Sequence, residues 1–123
     1  MTNKLVTKIL LALILILALG LRVYKLDSMP PSISWDEAAV GYNAWTIANY
    51  GKDEYGQLFP LYFRSFGEGK NPVDIYITAM FIKFLGLNEV STRLPVSVFG
   101  FLNVLLIFYL AKILFGNQHI ALL

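Results

Sequence analysis

The run Ile9-Leu10-Leu11-Ala12-Leu13-Ile14-Leu15-Ile16-Leu17-Ala18-Leu19-Gly20-Leu21 has neither charge nor proline, and its reading decides the fold. Extended to Leu5–Leu26, it is long enough to cross a membrane. About 20 helical residues rising ~1.5 Å each cover the roughly 30 Å hydrocarbon core of a bilayer. Lys4 and Lys8 precede the run, while Arg22 and Lys25 follow it and can snorkel to the interface. A cleaved signal peptide is the competing reading. Lys4 and Lys8 would then form its basic region, and Ala18-Leu19-Gly20 would resemble a small-x-small cleavage site. A span is preferred, because the apolar run continues past Gly20 and a second one follows.

That second run covers Leu94–Phe115, interrupted only by Pro95, Ser97, Asn103 and Lys112. Pro95 suits the first turn of a helix. Asn103 reads as a hydrogen-bond partner between helices, a routine role inside a membrane bundle. Gly116-Asn117 breaks the helix, and residues 118–123 read as the start of a third span. Composition agrees with a membrane protein: 57% of residues are hydrophobic and the mean hydropathy is +0.62. With no cysteine there is neither a disulfide framework nor a Cys-based metal site. The net charge of +2 hides a split, for Asp27–Arg93 holds five Lys/Arg against eight Asp/Glu. Basic groups mark the span ends and acidic ones the segment between. No basic run with interleaved aromatics is present, so nucleic-acid binding has no support. Charge does not orient the chain: Lys4, Lys8 and Lys112 on one side balance Arg22, Lys25 and Arg93 on the other.

The connecting segment, 27–93, carries structure of its own. Met29-Pro30-Pro31 makes its start extended. Residues 34–50 read as a helix closed by Gly51, with Ser34 as N-cap and Glu37 completing a capping box. Trp35, Ala38, Ala39, Tyr42, Trp45 and Ala48 recur at helical spacing and predict its apolar face. Lys52–Gly69 reads as a loop rich in breakers. Pro72 opens a second helix, 72–85, ended by Gly86 and too short to cross a bilayer, so it lies in the interface or packs on the bundle.

Candidate chemistry lies at the starts of these two helices. Asp36 and Glu37 sit near a membrane surface, where ionisable groups are functional candidates. A helix N-terminus also favours carboxylates, and the capping box accounts for most of Glu37. Asp36 is left as the acid that needs a use. Lys70 precedes the second helix, and a cation beside free backbone N–H groups suits a phosphate, although a solvated loop lysine is equally compatible. Arg64 offers the same chemistry. Arg93 reads as an interface anchor. His119 stands alone, which argues against a catalytic or metal role. Tyr42, Trp45, Tyr55, Tyr62 and Tyr76 fit an interfacial aromatic belt, or stack on a sugar. Nucleotide loops, Ser/His/Asp sets and metal-ligand spacings are absent.

Taken in order, these motifs resemble a known family. The first span, Trp35-Asp36-Glu37-Ala38 opening a helix, Gly69-Lys70-Asn71-Pro72, and Arg93-Leu94-Pro95 leading to Phe99-Gly100 are similar to the N-terminal part of the GT-C glycosyltransferases. Within them the chain looks like prokaryotic relatives of protein O-mannosyltransferases and of lipid A aminoarabinose transferases. The resemblance covers about Leu10–Phe115. It implies an all-α membrane protein, with two transmembrane helices joined by an extracytoplasmic loop bearing two amphipathic interfacial helices. It also implies transfer of a sugar from a polyprenyl-phosphate donor to a protein, lipid or glycan acceptor. Asp36, with Glu37 beside it, would be the acidic active-site residue, and Lys70 would contact the lipid phosphate. Arg64 and Tyr42 are further substrate-binding candidates. Here Asn71 separates the lysine from Pro72, unlike the family's Lys-Pro element. The N-terminus would be cytoplasmic, in the plasma membrane of a prokaryote. No cofactor beyond the lipid-linked sugar is implied, and a divalent metal stays open.

The chain is shorter than members of that family, so the expectation is a fragment, inactive without the remaining spans. Two other readings compete. One is a small non-enzymatic membrane protein presenting an interfacial helical hairpin to a partner. The other is a transporter fragment, which should carry charges or helix breaks near mid-membrane.

Overall fold

The structure, a computed structural model, describes residues 2–65, 67–116 and 120–122. Four α-helices carry the architecture: α1 (Thr2–Val23), α2 (Trp35–Tyr50), α3 (Pro72–Leu85) and α4 (Glu89–Phe115). A small antiparallel hairpin, β1 (Phe63–Ser65) and β2 (Glu68–Lys70), lies between α2 and α3, and a single 3-10 turn spans Ile120–Leu122. The remainder of the expected third span, His119 included, lies outside the described residues. Lys4–Val23 and Glu89–Phe115 are long and apolar enough to cross a membrane, with mean hydropathies of 2.4 and 2.2.

Two compact units result. The first holds α1 and the part of α4 from Ser97 onward. Within it the side chain of Arg22 lies against α4 at Gly100, where a Cβ would come 2.5 Å from Arg22 Nε. The Ser97 hydroxyl donates to the Arg22 carbonyl at 3.4 Å, and an Arg22 guanidinium nitrogen donates back to Ala18.

The second unit, Lys25–Val96, is built on the packing of α2 against α3. Its core holds Ala44, Ile47, Phe63, Ile75, Ala79 and Ile82. Full burial of Phe63 and Ile75 stabilises it by roughly 1.5–3 kcal/mol each. The face of α2 that packs overlaps the expected one only in part: Trp45 and Ala48 pack against this core, but its centre lies elsewhere. Gly41, Asn43, Ala44, Thr46 and Ile47 are buried, while Trp35 is 81% exposed. Asn43 can be buried because its polar atoms are satisfied. Its amide donates to the Ala39 carbonyl and to Glu54 Oε1, and its oxygen accepts from the Glu54 N–H.

Residues 52–70 are more ordered than a loop. Asp53 accepts from the N–H groups of Tyr55 and Gln57, Lys52 bridges to Leu58, and β1 pairs with β2 in the register Phe63↔Lys70. The Tyr76 hydroxyl donates to the Pro60 carbonyl at 2.9 Å and ties this region to α3.

Helix α4 starts five residues before the expected boundary, at Glu89, so Pro95 lies inside it and not in its first turn. The start is set by Asn88 and Ser91, which exchange hydrogen bonds: Asn88 N–H to Ser91 Oγ at 3.1 Å, and Ser91 N–H to Asn88 Oδ1 at 2.9 Å. This works as a capping box with serine in the acidic position. Pro95 forfeits the bond its missing N–H would make one turn back, and its ring crowds the Ser91 carbonyl there.

Helix α2 ends as expected at Gly51, whose N–H donates to Ile47 with φ at +65°. A Cβ there would meet the Phe59 ring at 2.7 Å. Gly51→Ala is therefore expected to lower unfolding stability by about 1–2 kcal/mol from the left-handed backbone alone. Denaturant titration checks this, and an unchanged midpoint would contradict it.

Candidate functional site

Local caps and the hairpin position the two groups that matter most. At the start of α2, Ser34 Oγ accepts from the Glu37 N–H at 3.2 Å, and Glu37 Oε2 accepts from the Ser34 N–H at 2.9 Å. This fixes Asp36 in the first helical turn, on the side of α2 that faces α3. Lys70 ends β2, directly before α3. Asn71, the residue that departs from a Lys-Pro element, is the N-cap of α3: its side chain accepts from the Val73 N–H at 3.0 Å, with Pro72 at the first helical position. The hairpin register and this cap together direct Lys70 toward the start of α2. Its Nζ lies 2.5 Å from Asp36 Oδ1, across 34 residues of sequence. The pair is asymmetric, since the Lys70 side chain is 15% exposed and that of Asp36 84%. Asp74, one turn into α3, joins this environment. Burial pushes its carboxyl above the ordinary range, against the pull of the Lys70 ammonium.

Glu37 has a different partner. Arg93 is 7% exposed, and its guanidinium reaches four acceptors. Nε donates to Glu37 Oε1 at 2.9 Å and Nη2 to Glu37 Oε2 at 3.3 Å. Nη1 donates to the Leu26 carbonyl at 3.0 Å and Nη2 to that of Ser32 at 3.2 Å. Arg93 is thus an internal clasp and not an interface anchor: it ties residues 26–37 to the start of α4. Hydrogen bonding from Arg93 holds the Glu37 carboxyl below its ordinary value of 4.5; burial opposes this, and the Ser34 N–H adds to it. A carboxyl with a lowered folded pKa contributes stability above its unfolded value and loses it as pH falls through the folded one. The unfolding midpoint is expected to drop on acidification below about pH 4.5, and Glu37→Gln should flatten that dependence. A wild-type pH profile identical to that of the variant would contradict this.

The other candidates lie apart from the pair. Arg64 is exposed in the middle of β1, opposite Gly69, and among the described residues no ion pair joins it to Asp36 or Glu37. Tyr42 lies roughly 120° around α2 from Asp36. It lines a groove of about 330 Å³ with Ile33, Glu37, Gly41, Leu87, Glu89 and Thr92. Its ring stacks on Trp45 at 6.2 Å between centroids, and Tyr50 meets Trp45 edge-on at 5.7 Å. Sequence reasoning missed the roles of Arg93, Asp74 and Asn43. For Asp74 a local signal existed, since it stands four residues after Lys70 at the start of a helix.

Among the described residues no group of three or more His, Cys, Asp or Glu is placed to hold a metal ion. What the arrangement offers is an exposed carboxylate able to accept a proton, beside an ammonium able to hold an anion. The ion pair itself is weak, because solvent screens an exposed carboxylate. An anion bearing more charge can take Lys70 from Asp36 at little cost. No protein-family model matches the chain, and neither a curated protein nor a solved structure is significantly similar to it.

Proposed function

We propose that this chain supplies the first extracytoplasmic loop of an integral-membrane glycosyltransferase of GT-C type, which moves a sugar from a polyprenyl-phosphate donor to an extracytoplasmic acceptor. In this reading α1 and α4 cross the plasma membrane of a prokaryote, with the N-terminus cytoplasmic and residues 27–93 outside. The observation that carries the reading is the Asp36–Lys70 pair, assembled from the starts of two helices in a chain that also holds two helices long and apolar enough to cross a membrane. Asp36 accepts the proton of the acceptor hydroxyl as its oxygen bonds to the anomeric carbon. The bond from that carbon to the phosphate oxygen breaks, and the Lys70 ammonium stabilises the charge left on the lipid phosphate. The Glu37–Arg93 clasp holds the helix start that carries Asp36.

Binding of an undecaprenyl phosphate by the chain in lipid nanodiscs tests the phosphate half of this reading. Lys70→Ala is expected to weaken binding by about tenfold, in line with the loss of one charge-assisted contact. Equal binding by wild type and variant would refute it. The second reading, a non-enzymatic hairpin that docks on a partner, draws on the exposed side chains of Met80, Phe84 and Leu85 along α3. It gives the Asp36–Lys70 pair no use and requires that Lys70→Ala leave phosphate binding unchanged.

A further inference from the structure

Arg22 is a charged side chain that the site above does not use, and it is not set as an interfacial cation would be. It lies inside the apolar run Lys4–Val23, one residue from its end. From there a long cation can extend outward past Val23 into water. Instead its Nη1 donates to the Ala18 carbonyl at 3.1 Å, one turn back along α1, so the guanidinium is folded toward the body of the run. The Arg22 side chain lies on α4 at Gly100, where a Cβ would come 2.5 Å from Nε and 3.3 Å from Cδ. Gly100 sits in a regular helical stretch that calls for no glycine, and the room it leaves is taken by the arginine. A cation suits the C-terminus of any helix, but the helix end explains neither the inward fold nor the glycine beneath it.

Electrostatics sets Arg22 apart as well. The unit that holds it, Met1–Tyr24 with Ser97–Leu123, contains no Asp or Glu. Among the described residues the two ion pairs are Asp36–Lys70 and Glu37–Arg93, so no side-chain carboxylate balances Arg22. The Ala18 carbonyl takes one of the five N–H groups of the fork. A guanidinium held against apolar helices without an anion is costly. We propose that Arg22, seated on Gly100, holds the phosphodiester of an anionic membrane phospholipid such as phosphatidylglycerol at the α1–α4 contact. The planar fork offers two parallel N–H groups to two phosphate oxygens. Lipid headgroups are the anions a bilayer supplies at the end of a span, and one without its own ammonium leaves the pair neutral. The site is distinct from Lys70. It rests on α1 and α4 crossing the membrane, as in the reading above, and not on the sugar-transfer chemistry.

Native mass spectrometry of the full chain, released from nanodiscs of phosphatidylglycerol and phosphatidylcholine in equal amounts, tests this. Wild type is expected to retain phosphatidylglycerol in preference, and Arg22→Gln to retain at least about tenfold less of it. Gly100→Ala keeps the charge but fills the seat, so it should also lose most of the retained lipid. Lys25→Gln, which removes a cation just after α1, and Lys70→Ala should retain as much as wild type. Retention by Arg22→Gln equal to wild type would overturn the proposal. So would full retention by Gly100→Ala, or equal losses in Arg22→Gln and Lys25→Gln, the mark of interfacial charge in general. Undecaprenyl phosphate added to the nanodiscs should displace the phospholipid no better than phosphatidic acid does. Selective displacement would place the lipid-linked donor at Arg22 and would also overturn it. Resistance to alkaline extraction checks insertion separately: a wild type that washes off would refute the membrane reading itself, and this site with it.

Discussion

Asp36→Asn is expected to lower sugar transfer, in the reaction proposed above, by about 10²–10⁴-fold, the range that a positioned general base contributes. The variant keeps the size of the side chain and removes its negative charge, and with it the ability to take up a proton. The start of α2 should be unaffected, because its cap is made by Ser34 and Glu37. The lost ion pair is exposed on the Asp36 side and is worth under about 1 kcal/mol, so protein level should not change. Turnover per molecule is the readout, with the donor saturating. Near-normal turnover would remove Asp36 from the chemistry. Lys70→Ala should act chiefly on the apparent affinity for the proposed lipid-linked donor, because in that reading its charge meets the phosphate before and after transfer.

The second large effect is on stability. Arg93→Ala is expected to cost about 1–3 kcal/mol, the penalty for leaving partly buried polar groups without their donor, since the Glu37 carboxylate left behind is 28% exposed. The guanidinium is buried, and its loss leaves the carbonyls of Leu26 and Ser32 without this donor and the Glu37 carboxylate with the Ser34 N–H. Arg93→Lys should recover little, since one ammonium cannot span acceptors arranged for a planar fork. Glu37→Gln should cost less than Arg93→Ala, for it retains an oxygen for the Ser34 N–H. Denaturation in mild detergent followed by tryptophan fluorescence ranks the three variants. An Arg93→Ala midpoint equal to wild type would show that the clasp does not hold residues 26–37 to α4.

Helices α2 and α3 were legible because their ends are written locally. Ser34 with Glu37, Gly51, Asn71 with Pro72, and Gly86 each act within four residues of the boundary they set. The start of α4 was missed for a related reason: Pro95 is a strong start signal, and the Asn88–Ser91 box that prevails is a weaker one. The hairpin was invisible because strands of three residues, Phe63-Arg64-Ser65 and Glu68-Gly69-Lys70, are too short to show a period of two. The packed face of α2 was read only in part: Trp45 and Ala48 do pack on the core, but aromatic spacing also suggested Trp35 and Tyr42, which are exposed, whereas the buried positions include the polar Asn43 and Thr46. Such residues enter a core when hydrogen bonds satisfy them, and spacing carries no trace of that. Asp36 and Lys70 were each legible as candidates from their places at helix starts. The partnership of Glu37 with Arg93, 56 residues away, was not, because nothing in either local sequence specifies so distant a contact.

The central claim is that Lys70 exchanges Asp36 for a lipid phosphate. The affinity of undecaprenyl phosphate for Asp36→Asn, measured beside wild type and Lys70→Ala in the same nanodiscs, tests it most directly. Neutralising Asp36 removes the anion that competes for the ammonium, so this variant should bind several-fold more tightly than wild type, while Lys70→Ala binds about tenfold more weakly. Weaker binding by Asp36→Asn, or no difference among the three, would contradict the account.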